Sequence, residues 1–499
     1  MRYPVVTPCS LVLGSLLIPA PLPAVTYFVD RFDDQPAASS CSPLMLADCS
    51  LRGAVLHANG TAAADTIVLP NGVYQLTVAG ALEDQAQIGD LDVLEEVTIS
   101  AAMGAHPTIV QTTADRVFHL LGAAASLTFD GPLTLQSGLG TDGTGNGDGG
   151  SIYAEEGVAL TLVEVTLTGA SAERLGGCLF SSLNDPGDSL TLTGVILEGC
   201  SAEGGGGAFI AIDDATVLLD RVRVESCHAQ RNGGGLSLLG GPALMIVQDS
   251  ILRNNTAGDA GHHGSGAGVF VFTGDANVRF VGSSIVGNVS GVPGSSFSGG
   301  GGGLRIDAGS QVELRNSTLS GNRTRGPSHF SPGAEVSGTL VLDHATVADN
   351  RSEPVGERAI RLVAGTLVSE ASIVEGGCSE LTASSMTSQG YNVERPTDGG
   401  MTSQCGLTNP SDVFTTATVV RPLAGNGGPT PTHALAPGSP ARLLVPSGSC
   451  AAEDQRHAPR SLLFCDAGSY ESSGQAPGPW IFSDGYESGD SFAWSATTL

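Results

Sequence analysis

Between Leu160 and Val374 one pattern of apolar residues recurs at a nearly fixed interval. Copies begin at Leu160, Leu190, Val217, Leu244, Val278, Val312, Leu340 and Leu367, 27 to 34 residues apart. Seven positions on, each copy has a second apolar residue: Leu167, Leu197, Val224, Ile251, Ile285, Leu319, Val347 and Val374. A Gly-rich run follows, then another short apolar stretch such as Leu179-Phe180, Ala208-Phe209-Ile210 or Leu304-Arg305-Ile306. Apolar and polar residues alternate within each copy, which is the period of a strand, and no convincing helical period competes with it. One copy is too thin to bury its own apolar face, but stacked copies bury a continuous core. The expected fold is therefore all-β, a solenoid. With strands stacked roughly 4.8 Å apart, about ten coils make a rod of roughly 50 Å. The 70 Gly of the chain suit its many tight turns.

Ten residues after the later starts stand Asn254, Asn288, Asn322 and Asn350. Stacked in register, their amides would bond along the column and satisfy turn backbone groups. Each also opens an Asn-x-Ser/Thr triplet, but a buried ladder amide is not a glycosylation acceptor. Cys200 and Cys227 occupy the same position in the two preceding coils, and stacking would bring their Cα atoms within disulfide range. Cys178 is then left over. It precedes a strand where sister coils have Gly and reads as a buried thiol, although exchange with Cys200 stays open. The pattern resembles the right-handed parallel β-helix proteins with internal Asn ladders. That resemblance covers residues 65–375 and implies the hand of the coil.

The first residues read as a secretory leader over 1–24, with Arg2 as its basic end, Val5 to Ile18 as its apolar core and Ala20 or Ala24 as cleavage sites. No other run is long enough to span a bilayer. Export makes disulfides expected, and the close-spaced candidates are Cys41/Cys49, Cys200/Cys227, Cys378/Cys405 and Cys450/Cys465.

Residues 25–64 hold a short strand and a helical segment. Leu51, Ala54, Val55 and Ala58 share one helical face, Asp48 is placed to cap the start, and Asn59-Gly60 stops it. Such a helix would cover the exposed first edge of the solenoid. The string Cys49-Ser-Leu-Arg-Gly-Ala54 resembles the Cys-Ser-Leu-Arg-Glu-Ala motif that begins many secreted bacterial β-helix proteins, with Gly53 in place of Glu. Residues 376–471 form another module. Arg421-Pro-Leu-Ala-Gly-Asn-Gly-Gly-Pro-Thr-Pro-Thr-His433, Asp454-Gln-Arg456 and Cys465-Asp-Ala-Gly-Ser-Tyr-Glu471 resemble the choice-of-anchor Q domain of secreted bacterial proteins. The resemblance implies export, surface association and a cap on the last coils. The chain departs from the family where Arg442-Leu443 replaces Ile-Asp and His457 replaces a Gly. Residues 472–499 read as a flexible tail that holds both Trp, Trp480 and Trp494.

All 22 basic residues are Arg, and the formal charge of −28 argues against nucleic acid or an anionic membrane as partner. It allows Ca²⁺, for which Asp142, Asn146 and Asp148 in the loop 138–150 offer oxygen ligands; no other cofactor is expected. Asp213-Asp214 falls at a turn position shared with sister coils, and His262-His263 in a polar loop, so neither reads as a catalytic pair. Arg221, Arg223 and Arg305, with Asp220 and Asp249, are candidates for a lyase site, but surface ion pairs account for them equally. The reading is an exported, monomeric interaction or adhesion module that binds a glycan or an envelope component. The alternatives are a polysaccharide lyase or hydrolase, lyase first, and a structural stalk. Any site is expected on the loops 138–150, 254–268 or 288–303. An outward row of aromatics and carboxylates would separate the glycan readings from the stalk.

Overall fold

The computed structural model describes residues 23–42, 45–81, 83–141, 147–292, 299–326, 331–353, 358–381, 383–396 and 402–474. Nearly all of the expected leader, Asp142, Asn146 and the tail from 475 lie outside the described residues.

The chain winds as a right-handed parallel β-solenoid. A regular coil contributes four strands, in one case Thr216–Asp220, Arg223–Glu225, His228–Ala229 and Leu236–Gly240. The first two columns join into a 24-stranded first sheet; the fourth builds an 11-stranded second sheet and the third an 8-stranded third sheet. The corner inside the first sheet passes through Arg221 at φ 54° and, one coil on, Asp249 at φ 49°. That left-handed backbone turns the chain in a single residue; Glu164, Asn316, His344 and Ala371 adopt it in sister coils, and Gly194 and Gly282 do so without steric cost. No described helix is long and apolar enough to cross a membrane.

The core column runs Leu160, Leu190, Val217, Met245, Val278, Val312, Leu340 and Leu367, each directly paired with the next. One coil corrects the sequence register. Leu244, taken there as a start, is 36% exposed, and Met245 at 1% holds the inward place. Leu252 likewise replaces Ile251 inside, and Asn255 replaces Asn254 in the ladder. The Gly-rich stretch between Ala229 and Leu236 carries one residue more than its counterpart between Ala202 and Ala208, and a one-residue slip exchanges the two faces of a strand. Asn254 stands exposed at the next corner, at φ 55°.

Two ladders run inside the corners. Asn255, Asn288 and Asn322 each donate Nδ2 to Oδ1 of the next Asn, ending at Asn350. Each of those acceptor oxygens also takes a backbone N–H from the coil before. A second ladder, unseen in the sequence, links Ser250, Ser283 and Ser317, each hydroxyl accepting the N–H of the preceding coil.

Disulfides join Cys41 to Cys49, Cys378 to Cys405 and Cys450 to Cys465. The expected Cys200–Cys227 pair is corrected. Cys178 bonds Cys200, with Cα atoms 5.4 Å apart, and Cys227 is the buried free thiol. Sister coils explain this. Where they carry Gly207 and Gly235, an added Cβ would lie 3.4 Å from Cys227 Sγ and 2.9 Å from Asn255 Nδ2. The Gly column abuts the ladder column, so a Cys in the first reaches a Cys in the second.

The helix Leu51–Ala58 buries Leu51, Ala54, Val55 and Ala58 against the first coils. Its cap is Ser50, whose side chain accepts the Gly53 N–H, and not Asp48, which bonds Ser42 N instead. A Cβ at Gly53 would stand 2.1 Å from the Ala38 carbonyl, so the close approach of the Ala38–Ser39 backbone requires Gly there. Arg52 is fully buried; it pairs with Asp34 at 2.6 Å and donates to the carbonyls of Ala86, Gly89 and Asp90.

The stack continues beyond residue 375 through Ser385–Gly390, Val393–Arg395 and Val413–Phe414. The following segment does not close the end, as a cap would. It runs back along the outside of the first sheet, from His457 against Asp249 to Gly468 against Ala371. Buried Gln455 donates to Ser284 Oγ and accepts from Thr318 Oγ1, and His433 bonds Ser320 Oγ at 2.7 Å. Small polar residues on these coils give the strap its seats.

Candidate functional site

In the second sheet the flanking residues of each strand enter the core, so the middle residue faces out. Paired in register, these middle residues are Asp92, His119, Tyr153, Phe180, Phe209, Ser237, Phe270, Arg305, Glu335 and Arg361. Neighbouring rings touch along the column. Centroids lie 5.0 Å apart for His119–Tyr153, 5.2 Å for Tyr153–Phe180 and 5.6 Å for Phe180–Phe209. Ser237 interrupts the row. Phe272, two residues past Phe270 and on the same side, crosses the gap to Phe209 at 5.7 Å and Phe270 at 4.4 Å. The Gly runs flank the row: a Cβ on Gly205 would meet Phe209 Cβ at 3.0 Å, and one on Gly266 would meet Phe270 Cβ at 2.9 Å. Those glycines, both at positive φ, let the corner close against the rings. Phe180, Phe209 and Phe270 are consequently 4–9% exposed, while Tyr153 and Phe272 are half-buried.

An acid–base cluster begins the row. His119 Nε2 meets Glu155 Oε1 at 3.1 Å, and its Nδ1 faces Asp92 Oδ1 at 3.4 Å. Burial alone would lower the imidazole pKa, but the close pairing with Asp92, the bond to Glu155 and the charge of Asp90 outweigh it and raise it to about 9. The His119 bond holds Glu155 below its usual value. Burial raises the Asp92 carboxyl, against the pull of His119 and the Ala86 N–H. Burial raises Asp90 and Asp115 as well, and for Asp90 the charges of Asp92 and Asp115 add to it. Arg116 lies over the Tyr153 ring at 4.9 Å and donates to the Asp148 carbonyl. The other end of the row is an ion-pair ladder, with Arg305 on Asp307 and Glu335, and Arg361 3.9 Å from Glu335.

Few of the residues singled out in the sequence join this row. Asp148 underlies it, but its carboxylate is engaged by Arg174 and the Leu175 N–H. Asp213 and Asp214 are exposed at their turn. His262 bonds Asp259 in its own loop. Arg221 pairs with Asp220, Arg223 and Arg253 share Glu225, and Asp249 pairs with His457. Only Arg305 of the proposed arginines faces the row. Asp92, His119 and Glu155 went unnoticed because they lie in the early coils, whose interval is irregular. The triplets Leu91-Asp-Val93, Phe118-His-Leu120 and Ile152-Tyr-Ala154 repeat the apolar-x-apolar form of the later strands and would have disclosed them.

No family model and no curated protein matches the sequence. Among solved structures, the chain is similar to pectate lyase Pel9A, at 12% identity and a TM-score of 0.41, over 90% of this chain and 97% of that one. It is also similar to the Dettilon tailspike protein gp208, at 12% identity and a TM-score of 0.28, over 73% of this chain and 64% of that one. These likenesses concern the fold alone.

Proposed function

We propose that this protein is an exported surface module that holds a glycan chain along the outward face of its second sheet. One observation carries the reading: a line of touching rings from His119 to Phe272, bridged past Ser237, on a face where a bare stalk needs only small polar residues. Sugar rings present apolar C–H faces beside hydroxyls, which suits aromatics set next to carboxylates and guanidinium groups. The ring faces are engaged with one another, so a ligand meets their edges, the Tyr153 hydroxyl and the Glu155 carboxylate. The charge of −28 disfavours a polyanion and points to a neutral or amino-bearing glycan. The choice-of-anchor Q resemblance of 376–471 supports export and attachment at a surface.

Affinity electrophoresis in gels cast with neutral, amino-bearing and acidic polysaccharides tests this. Retardation by a neutral or amino-bearing polymer is expected, reduced about tenfold by Tyr153→Ala, since such polar-edged aromatics anchor interfaces. No retardation by any polymer would overturn the reading. A second reading, eliminative cleavage, is favoured by the imidazole set between two carboxylates beside a Tyr. Accumulation of unsaturated products during the same incubation would establish it instead.

A further inference from the structure

We propose that Asp84, Asp92 and His119 form a binding site for a divalent transition-metal cation of the zinc class. Ligand atoms from the three residues lie within 4.8 Å of one another. Acidic groups gathered near a His are common, so the case rests on Asp92 Oδ1. That oxygen is fully buried and accepts no hydrogen bond, whereas its partner Oδ2 accepts the Ala86 N–H at 2.5 Å. A buried carboxylate oxygen with no close hydrogen bond is costly. It is aimed at His119 Nδ1, 3.4 Å away.

The imidazole is oriented to match. Glu155 takes Nε2, and Tyr153 stacks on the ring at 22° between planes. A carboxylate on the far nitrogen holds the Nε2 proton, so that when a metal displaces the other ring proton Nδ1 is the nitrogen freed to bind it, the arrangement usual behind a metal-bound His. With that proton displaced, Nδ1 and Asp92 Oδ1 present two lone pairs across one gap. A tetrahedral centre with bonds of about 2.0–2.1 Å has ligand edges of roughly 3.4 Å, which is the separation found. Asp84, exposed on the adjoining loop, supplies a third ligand by a side-chain rotation, and water completes the shell.

The donor set excludes calcium as the preferred ion. Calcium takes about six to eight oxygens at roughly 2.3–2.6 Å, whereas a nitrogen and two carboxylates in a tight triangle suit zinc, cobalt or nickel. Its three residues are none of those proposed from the sequence as calcium ligands, Asp142, Asn146 and Asp148. Metal and proton compete for Nδ1. The inference does not depend on the glycan reading.

The test uses the full chain, freed of metal with a chelator and titrated with ZnCl₂ in a calorimeter, then with CoCl₂ while visible absorption is followed. One equivalent of zinc is expected, together with the absorption of a tetrahedral cobalt centre. Asp92→Asn and His119→Gln should abolish both. Asp84→Asn, on an exposed residue, should weaken zinc binding about tenfold with the unfolding midpoint unchanged, and Glu155→Gln by about 10- to 100-fold through loss of orientation. Binding unchanged in Asp84→Asn and Asp92→Asn, calcium displacing zinc at equal concentration, or no stoichiometric binding would each overturn the proposal.

Discussion

Asn255 donates its side-chain amide to Asn288 Oδ1 at 3.0 Å, and the same oxygen accepts the Asn255 backbone N–H at 2.9 Å. Asn288 in turn donates to Asn322 Oδ1 and to the Leu252 carbonyl. One side chain thus satisfies four buried groups in three coils. Asn288→Ala should cost about 3 kcal/mol or more, since each buried group left unsatisfied costs roughly 1–3 kcal/mol. Asn254, one residue before the ladder, is exposed at φ 55°. Asn254→Gly should shift stability by less than about 0.5 kcal/mol. Urea unfolding of the two variants measures the contrast. Equal effects would mean that the ladder runs through Asn254 after all.

That pair of asparagines also marks how far the sequence could be read. The interval between copies gave the coil, its core column and most of the ladder, because each depends on a local pattern repeated in register. A single inserted residue between Ala229 and Leu236 was invisible to that pattern, since both Leu244 and Met245 are apolar. The strap could not be placed for a different reason. Its seats, Ser284, Thr318, Ser320 and Thr346, are ordinary small polar residues on an outward face. Nothing in them announces a partner more than a hundred residues away. The outward row was hidden because its members are 26 to 35 residues apart and chemically unlike, and only stacking makes them neighbours.

Cys227 is fully buried, and burial pushes its thiol up to about 12, so almost no thiolate forms near neutral pH. It should resist alkylation in the native protein and react fully on denaturation. Peptide mapping without reduction should recover Cys178 joined to Cys200, with Cys227 carrying the label added after unfolding. A peptide joining Cys200 to Cys227 would restore the pairing expected from the ladder column.

His457 replaces a Gly of the resembled motif and sits at φ 61°, where Gly is the easier residue. It gains the outermost hold of the strap: Nε2 to Asp249 at 2.9 Å and Nδ1 to Glu453 at 3.3 Å. The Asp249 bond is the main cause that raises its pKa to about 9, with burial opposing and the charges of Asp249 and Glu453 adding. A raised pKa means that the folded state holds the proton more tightly. The contribution is complete below the unfolded value of about 6.5 and is lost as pH rises through about 9. The thermal midpoint of the wild type should exceed that of Asp249→Asn by a steady margin in mild acid. The margin should close above about pH 9. A gap that does not change with pH would show that the contact is not an ion pair.

Phe209 and Tyr153 share the row but should fail differently when truncated. Phe209 is 5% exposed, stacked on Phe180 with 9° between ring planes and touched by Phe272. It belongs to an outer core that the main core does not include. Phe209→Ala should therefore cost about 3 kcal/mol, as for a buried aromatic, and loosen the rings on both sides of it. Tyr153 is half-buried, with its ring between His119 and Phe180 and Arg116 above it. Tyr153→Ala should cost less stability and more ligand retention. Denaturant midpoints and gel retardation, measured on the same two variants, separate packing from recognition. If both variants lost stability and retardation in the same proportion, the row would be packing alone, and the glycan would have to be sought on another face.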